Sequence, residues 1–137
     1  MGVKENKALI RHAYDLMNRG ELTEYFKLLS SNYIEHLPHG DMSLEQTIQG
    51  VPTFYIAFPD ARATIEDIVA EGDRVAARVT WRGTHKGNFM GIPPTGKKFE
   101  MTNTAIFKIA DGKWAETWAT VDNLGLLQQL GAIPMPK

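Results

Sequence analysis

The sequence of 137 residues contains no cysteine. This absence excludes disulfides, thiol nucleophiles, zinc sites with Cys ligands and iron–sulfur clusters. Any catalysis must therefore use oxygen and nitrogen side chains, and a cytoplasmic location is the expectation for such a chain. The four histidines, at positions 12, 36, 39 and 85, lack the spacing and the acidic neighbours typical of metal sites. We expect neither a metal nor a cofactor.

An excess of positive charge is also missing, since 15 basic residues face 16 acidic ones and the net charge is −1. Nucleic-acid and membrane-surface proteins need a basic excess, so we expect neither as a partner. No apolar run approaches the roughly 18 residues that cross a bilayer, and the N-terminus lacks the apolar stretch of a signal peptide. The length and the 43% apolar content are typical of one globular domain, which we place at residues 1–137.

The first part of the chain has helical periodicity. Apolar residues recur three and four positions apart over Lys4–Arg19, before Gly20, and again over Glu21–Leu29. A short extended piece is expected around Tyr33–His36. The sequence from Ser43 to Gln46 fits a capping box that starts a brief helix, and Pro52 suits the first turn of another.

From Arg62 onward the period falls to two, which predicts strands. Gly72-Asp73 and Asp111-Gly112 are hairpin signals between them. Helices followed by an antiparallel meander predict the α+β class, with helices packed on one face of a curved sheet. The predicted strands are Arg62–Glu71, Arg74–His85, Phe99–Ile109 and Trp114–Asp122.

The last of these strands carries the chemistry that is easiest to interpret. A strict period of two places Glu116, Trp118 and Asp122 on one face with Trp114. Carboxylates beside aromatic walls have their charged form disfavoured, which suits general acid–base work. Two structural roles remain open: Asp122 can cap the helix that follows, and Glu116 can be an exposed strand residue with a basic partner.

Several segments together resemble the SnoaL-like polyketide cyclase (predicted ester cyclase) family. The likeness covers nearly the whole chain and is dense from Phe58 onward. The segments that carry it are Phe58-Pro59-Asp60, residues 65–75, Gly83-Thr84-His85-Lys86-Gly87, residues 89–97, Asp111-Gly112-Lys113 and residues 124–131.

The resemblance implies an NTF2-like cone, in which a strongly curved antiparallel sheet wraps around helices and encloses an apolar pocket. It also implies closure of a ring in a polyketide-type carbonyl compound by an intramolecular aldol reaction, without metal or cofactor. Asp122 would be the acid–base residue and His36 would polarise a carbonyl. We expect the small apolar substrate to contact Tyr14, Tyr33, Trp81, Phe89, Met101, Glu116, Trp118 and Leu127.

The family resemblance further implies a homodimer that pairs through the outer face of the sheet. The small residues of the last strand, Ala115, Thr117, Ala119 and Val121, would supply the contact strip.

Three other functions fit the same fold. An epoxide-hydrolase-like enzyme would use Asp122 with Arg78 or Arg82 as a bridge to a second aspartate. A ketosteroid-isomerase-like enzyme would use a tyrosine, Tyr14 or Tyr33, to bind an oxyanion. A module that only binds a small ligand would need no catalytic group.

Overall fold

The computed structural model describes residues 2–134, which form four helices and six strands. The order of these elements confirms the predicted α+β class. The helices are Val3–Asn18 (α1), Leu22–Phe26 (α2), Leu44–Ala57 (α3) and Asn123–Gln129 (α4). The strands are Leu29–Leu37 (β1), Gly40–Ser43 (β2), Arg62–Glu71 (β3), Arg74–Thr84 (β4), Lys98–Ala110 (β5) and Lys113–Thr120 (β6).

Helix α1 forms because its apolar residues share one face, on which Ile10, Ala13 and Met17 are buried. Gly20, with a φ of 75°, follows its end in the left-handed conformation that glycine adopts without a Cβ clash. The Asn18 side chain then fixes the helix to β3, because it donates to the Ala63 carbonyl and accepts from the Ala63 amide, each at 2.8 Å.

Helix α3 is one continuous helix, so the prediction of two helices in this segment was wrong. Ser43 and Gln46 form the predicted capping box, with the Ser43 amide donating to Gln46 Oε1 at 2.8 Å. Pro52 lies inside the helix and not at its start. The cap and the packing of Val51, Phe54 and Ala57 against the core offset the roughly 3 kcal/mol that an internal proline costs.

The six strands form a single sheet in the order β2-β1-β6-β5-β4-β3. The pairs from β3 to β6 are antiparallel, as the meander predicts, but β1 pairs with β6 in parallel. The predicted antiparallel meander is therefore confirmed for β3 to β6, and β1 adds one parallel pair to the sheet. A parallel pair needs a long connection, and here it consists of every element from β2 to β5.

An irregularity in β6 decides which side chains face the interior. Between Trp114, which pairs with Ile109, and Glu116, which pairs with Lys108, the ladder gains one residue on β6. Such a bulge reverses the alternation of the faces beyond it. Trp114 and Thr117 are therefore both buried, at 3% and 2% exposure. The strict period of two predicted for this strand was wrong from Glu116 onward.

The interior is divided between a larger cluster of apolar residues under α1 and α2 and a smaller one between the end of α3, the start of β5 and α4. Tyr33, Val75 and Phe107 belong to the larger cluster, and Phe58 and Leu126 to the smaller. Within residues 2–134, no helix is long and apolar enough to cross a membrane.

Candidate active site

The sheet and the helices α1, α2 and α3 line a partly open cavity of about 220 Å³. Most of its wall is aliphatic or aromatic, because the inward positions of β4, β5 and β6 alternate with outward polar ones. The lining residues are Tyr14, Met17, Tyr25, Glu35, Val51, Phe54, Tyr55, Val79, Trp81, Met101, Asn103, Ala105, Phe107, Trp114, Thr117, Ala119 and Val121.

Glu35 is the one carboxyl group among these lining residues. Burial raises its pKa, and this effect outweighs the hydrogen bond from Tyr33 and the charge of His39, which both lower it. The cause is the cost of placing a negative charge among aromatic rings without bulk water. A carboxyl group whose pKa is raised in this way is suited to general acid–base chemistry.

A chain of hydrogen bonds holds the Glu35 side chain. Trp114 Nε1 donates to Thr117 Oγ1 at 2.6 Å, Thr117 Oγ1 and Tyr33 Oη lie 2.9 Å apart, and Tyr33 Oη donates to Glu35 Oε1 at 2.8 Å. The indole can only donate, so with an ionised Glu35 every hydrogen in the chain is directed towards the carboxylate. The hydrogen bond from Tyr33 thereby fixes Oε1.

Two tyrosines from the helices complete the polar part of the wall. Burial raises the pKa of Tyr55 to about 12, and it raises that of Tyr14 as well, with the charge of Glu35 adding to the effect. Both phenols are therefore neutral at physiological pH and can donate a hydrogen bond. The Tyr14 ring lies 6.3 Å from that of Trp81 and 6.2 Å from that of Trp114, so these three aromatic side chains form one continuous part of the cavity wall.

The structure brings four of the predicted substrate-binding residues to the cavity. Tyr14, Trp81 and Met101 line it directly. Tyr33 lies behind the wall, 1% exposed, and reaches the cavity through its bond to Glu35.

His36, Glu116 and Trp118 do not line the cavity, contrary to their predicted placement. They lie on the outer face of the sheet, where His36 Nε2 bonds Glu116 Oε2 at 2.6 Å and its ring stacks on Trp118 at 5.4 Å. The bulge in β6 turns Glu116 and Trp118 outward, and His36 pairs with Trp118 across the strands. Hydrogen bonds from His36 to Glu116 and to Asp41 raise the pKa of this histidine. Its contacts are those of an ion-paired surface residue.

Asp122 also lies outside the cavity lining. It is exposed, it is the N-cap of α4, and its Oδ1 accepts a hydrogen bond from the Gly125 amide at 2.9 Å. Val121, the residue before it, does line the cavity, so Asp122 stands just beyond the wall.

The last two predicted contacts are also absent from the lining. Phe89 packs on Phe58 in the smaller core cluster, with ring centroids 5.0 Å apart, and Leu127 is half-buried on α4. Both belong to the end of the cone that the smaller cluster fills.

The arginines of the epoxide-hydrolase interpretation lie elsewhere. Arg78 Nε donates to Asp67 at 2.8 Å, and Arg82 Nη2 donates to Glu100 at 3.1 Å, both in exposed pairs. Neither arginine lines the cavity. Within residues 2–134, no group of three or more His, Asp or Glu side chains is arranged to hold a metal ion.

Glu35 is the residue that the analysis of the sequence missed. The signal was present, because Tyr33 was expected to face the interior and Glu35 follows it by two positions on the same strand.

Comparison with known proteins agrees with this architecture. The chain is 28% identical over 131 residues to the aklanonic acid methyl ester cyclase DnrD of Streptomyces peucetius, an alignment that covers 90% of this chain and 88% of the other. It is 34% identical over 71 residues to the nogalonic acid methyl ester cyclase of Streptomyces nogalater, covering 50% and 53%.

Solved structures extend the likeness to the whole fold. AclR of Streptomyces galilaeus, proposed to be a hydroxylase, superposes with a TM-score of 0.92 at 31% identity over 99% of this chain and 87% of its own. IdmH of Streptomyces antibioticus, proposed to be a polyketide cyclase, does so with a TM-score of 0.81 at 36% identity, over 92% and 98%. Residues 7–130 match the SnoaL-like polyketide cyclases as a family. This match shows that the chain, with its curved sheet and the cavity that the sheet lines, belongs to the SnoaL-like polyketide cyclase family.

Proposed function

We propose that this protein closes a ring in a polyketide-type carbonyl compound by an intramolecular aldol reaction, with Glu35 as the acid–base group. The observation that carries the proposal is the Glu35 carboxyl group in the cavity wall, with a raised pKa and one oxygen fixed by Tyr33. The names of the S. peucetius and S. nogalater relatives, both methyl ester cyclases, support the substrate class. The chemistry needs no metal or cofactor, because a carbon between two carbonyls is already acidic.

The proposed reaction consists of two proton transfers at Glu35. Ionised Glu35 removes a proton from the carbon between two carbonyls, and that carbon then attacks a ketone in the same molecule. The new carbon–carbon bond converts the ketone oxygen to an alkoxide, which takes the proton back from Glu35. Donation from Tyr14 or Tyr55 would stabilise the intermediate enolate. Holding both carbons together in a folded conformation supplies much of the acceleration.

Asp122, to which the family resemblance gives the acid–base role, is the competing assignment. Thr117 lies beside Glu35 across the β1–β6 pair, and Asp122 is five residues further along the chain. At about 3.3 Å per residue of extended chain, the backbone of Asp122 lies at most roughly 17 Å from that of Thr117. The lining of the cavity includes Glu35 and not Asp122, so the proposal gives the proton transfers to Glu35.

Replacement of Asp122 by asparagine should therefore leave both ring closure and stability close to those of the natural protein. The Gly125 amide bonds the asparagine oxygen as well as it bonds the aspartate, since the two residues cap helices about equally. Steady-state turnover and a thermal melt of Asp122→Asn test this. A loss of turnover without a loss of stability would place the chemistry at Asp122 and not at Glu35.

The activity itself is tested with aromatic 1,3-diketones that carry a pendant ketone, together with aklanonic acid methyl ester, in buffer containing EDTA. Aldol ring closure leaves the mass of the substrate unchanged and converts a ketone carbon into the carbon of a tertiary alcohol, which NMR detects. A product heavier by one oxygen would indicate hydroxylation, the activity proposed for AclR. Migration of a double bond would indicate isomerase chemistry. Binding of the compounds without any product would indicate a module that only binds a small ligand.

We also propose a cytoplasmic homodimer that pairs through the outer face of the sheet. The strip predicted for this contact is unsuitable, because Thr117, Ala119 and Val121 line the cavity. The outer face instead exposes Ile34 at 40% and Ile106 at 45%. Light scattering should give the mass of two chains at micromolar concentration, and Ile106→Glu should reduce it to one. A monomeric mass for the unmodified protein would contradict the proposal.

A further inference from the structure

Two polar atoms of the cavity residues have no hydrogen-bond partner. Asn103 Oδ1 and Tyr55 Oη are both shielded from solvent, and no described residue bonds either of them. Burying a polar group without a partner costs free energy, so each of these atoms calls for a partner from outside the protein, a water molecule or a ligand. Asn6 Oδ1 and His85 Nε2 are also unpartnered, but neither residue lines the cavity.

The two atoms belong to the same part of the wall. The Tyr55 ring packs against Trp81, with centroids 6.4 Å apart. Trp81 and Val79 are successive inward residues of β4, and Asn103 lies directly opposite Val79 on β5. A ligand that rests against Trp81 therefore reaches both Tyr55 from α3 and Asn103 from the sheet.

The chemistry of the pair specifies what the ligand must carry. An amide oxygen only accepts, so Asn103 Oδ1 needs an O–H or N–H group from the ligand. The Tyr55 hydroxyl, neutral at physiological pH, donates to an oxygen of the ligand. The aromatic surroundings favour a flat ring, and a volume of about 220 Å³ lies below the roughly 300–1,000 Å³ of most ligand pockets.

We propose that Asn103 and Tyr55 select compact ring compounds that carry a hydroxyl group, phenolic or enolic, which donates to Asn103 Oδ1 and accepts from Tyr55. This inference rests on the proposed use of the cavity as the substrate site. It adds a requirement that ring closure alone does not impose, because an aldol reaction needs carbonyl groups and no free hydroxyl.

Equilibrium dialysis with 2-naphthol and 2-methylnaphthalene tests the requirement, since the two probes match in size and differ in the hydroxyl. The natural protein should bind 2-naphthol at least about tenfold more tightly, although the methyl compound is the more hydrophobic. In Asn103→Leu the preference should fall to about twofold or less, and in Tyr55→Phe it should fall in part. Asn103→Asp keeps an acceptor at the same place and should keep the preference.

Glu35→Gln is the matched control, because it should lose turnover and keep the naphthol preference. Equal binding of the two probes by the natural protein would overturn the inference, and so would an unchanged preference in a folded Asn103→Leu. A Glu35→Gln variant that keeps full turnover would overturn the proposed acid–base role instead and leave the hydroxyl requirement standing. The failures of the two proposals are therefore distinguishable.

Discussion

Replacement of Glu35 by glutamine should lower the rate of ring closure by about 10²–10⁴-fold, the usual contribution of a general acid–base group. Glutamine keeps the shape of the side chain, and its oxygen can still accept the hydrogen bond from Tyr33. It cannot exchange a proton at neutral pH. Single-turnover kinetics with a 1,3-diketone substrate measure the loss without interference from product release.

The pH profile gives an independent check of the same residue. Ionised Glu35 begins the reaction, so kcat/KM should rise with pH through the pKa of this group, which burial places above its ordinary value of 4.5. In Tyr33→Phe the carboxylate loses a donor that favours its ionised form, so the rising limb should move to higher pH. A profile that rises at the same pH in Tyr33→Phe would assign the titration to another group.

With rising pH, the free energy of unfolding should fall while the rate of ring closure rises. In the folded protein Glu35 holds its proton up to a higher pH than in the unfolded chain, because its pKa is raised. The unfolding free energy therefore falls as the pH rises from about 4.5 through the raised value. Glu35→Gln does not titrate, so its stability relative to the natural protein should be greater at pH 7 than at pH 4. Urea unfolding at both values measures this difference.

Much of the fold followed from local rules. Helical spacing, the Ser43–Gln46 capping box and two Gly-Asp or Asp-Gly turns defined most helices and strands to within a few residues. These features depend on short segments of chain, so they can be seen in the sequence. Pro52 was misleading, because its effect depends on how strongly the rest of α3 is capped and packed.

The candidate site was harder to predict, because one extra residue in β6 exchanges the inward and outward side chains of the rest of the strand. A bulge in β6 places Thr117 inside and Trp118 outside. No residue type in that strand indicates the bulge. The composition of β6 made the outward face, with its carboxylate and indole, look like a cavity wall. The position of Glu35 in the cavity wall depends on the parallel pairing of β1 with β6. This pairing is a contact between distant parts of the chain, so local sequence patterns do not predict it.

Substitution of Gly87 by alanine should destabilise the protein by about 1–3 kcal/mol, the cost of overfilling a packed site. Gly87 is the third residue of the loop between β4 and β5, and its amide and that of Lys86 donate to the Ala57 carbonyl at 3.1 and 2.9 Å. A Cβ at this position would overlap the Ile56 carbonyl oxygen and approach the Ala57 Cα to 3.2 Å. These neighbours are backbone atoms of α3, so either the loop or the end of the helix must move.

Gly50→Ala is the matched control for Gly87→Ala, because it adds the same methyl group within α3, the helix that Gly87 contacts, at a place where space can be made. There the new Cβ would meet only the flexible end of Met42, at 3.3 Å. Alanine inside a helix is favoured over glycine by roughly 0.5–1 kcal/mol, so Gly50→Ala should be as stable as the natural protein or more stable. Denaturant unfolding of both variants measures the difference.

Since Tyr55 lies in the last turn of α3, Gly87→Ala should also weaken 2-naphthol binding, whereas Gly50→Ala should not. Equal stability of the two variants would show that the loop does not depend on close backbone contact with α3.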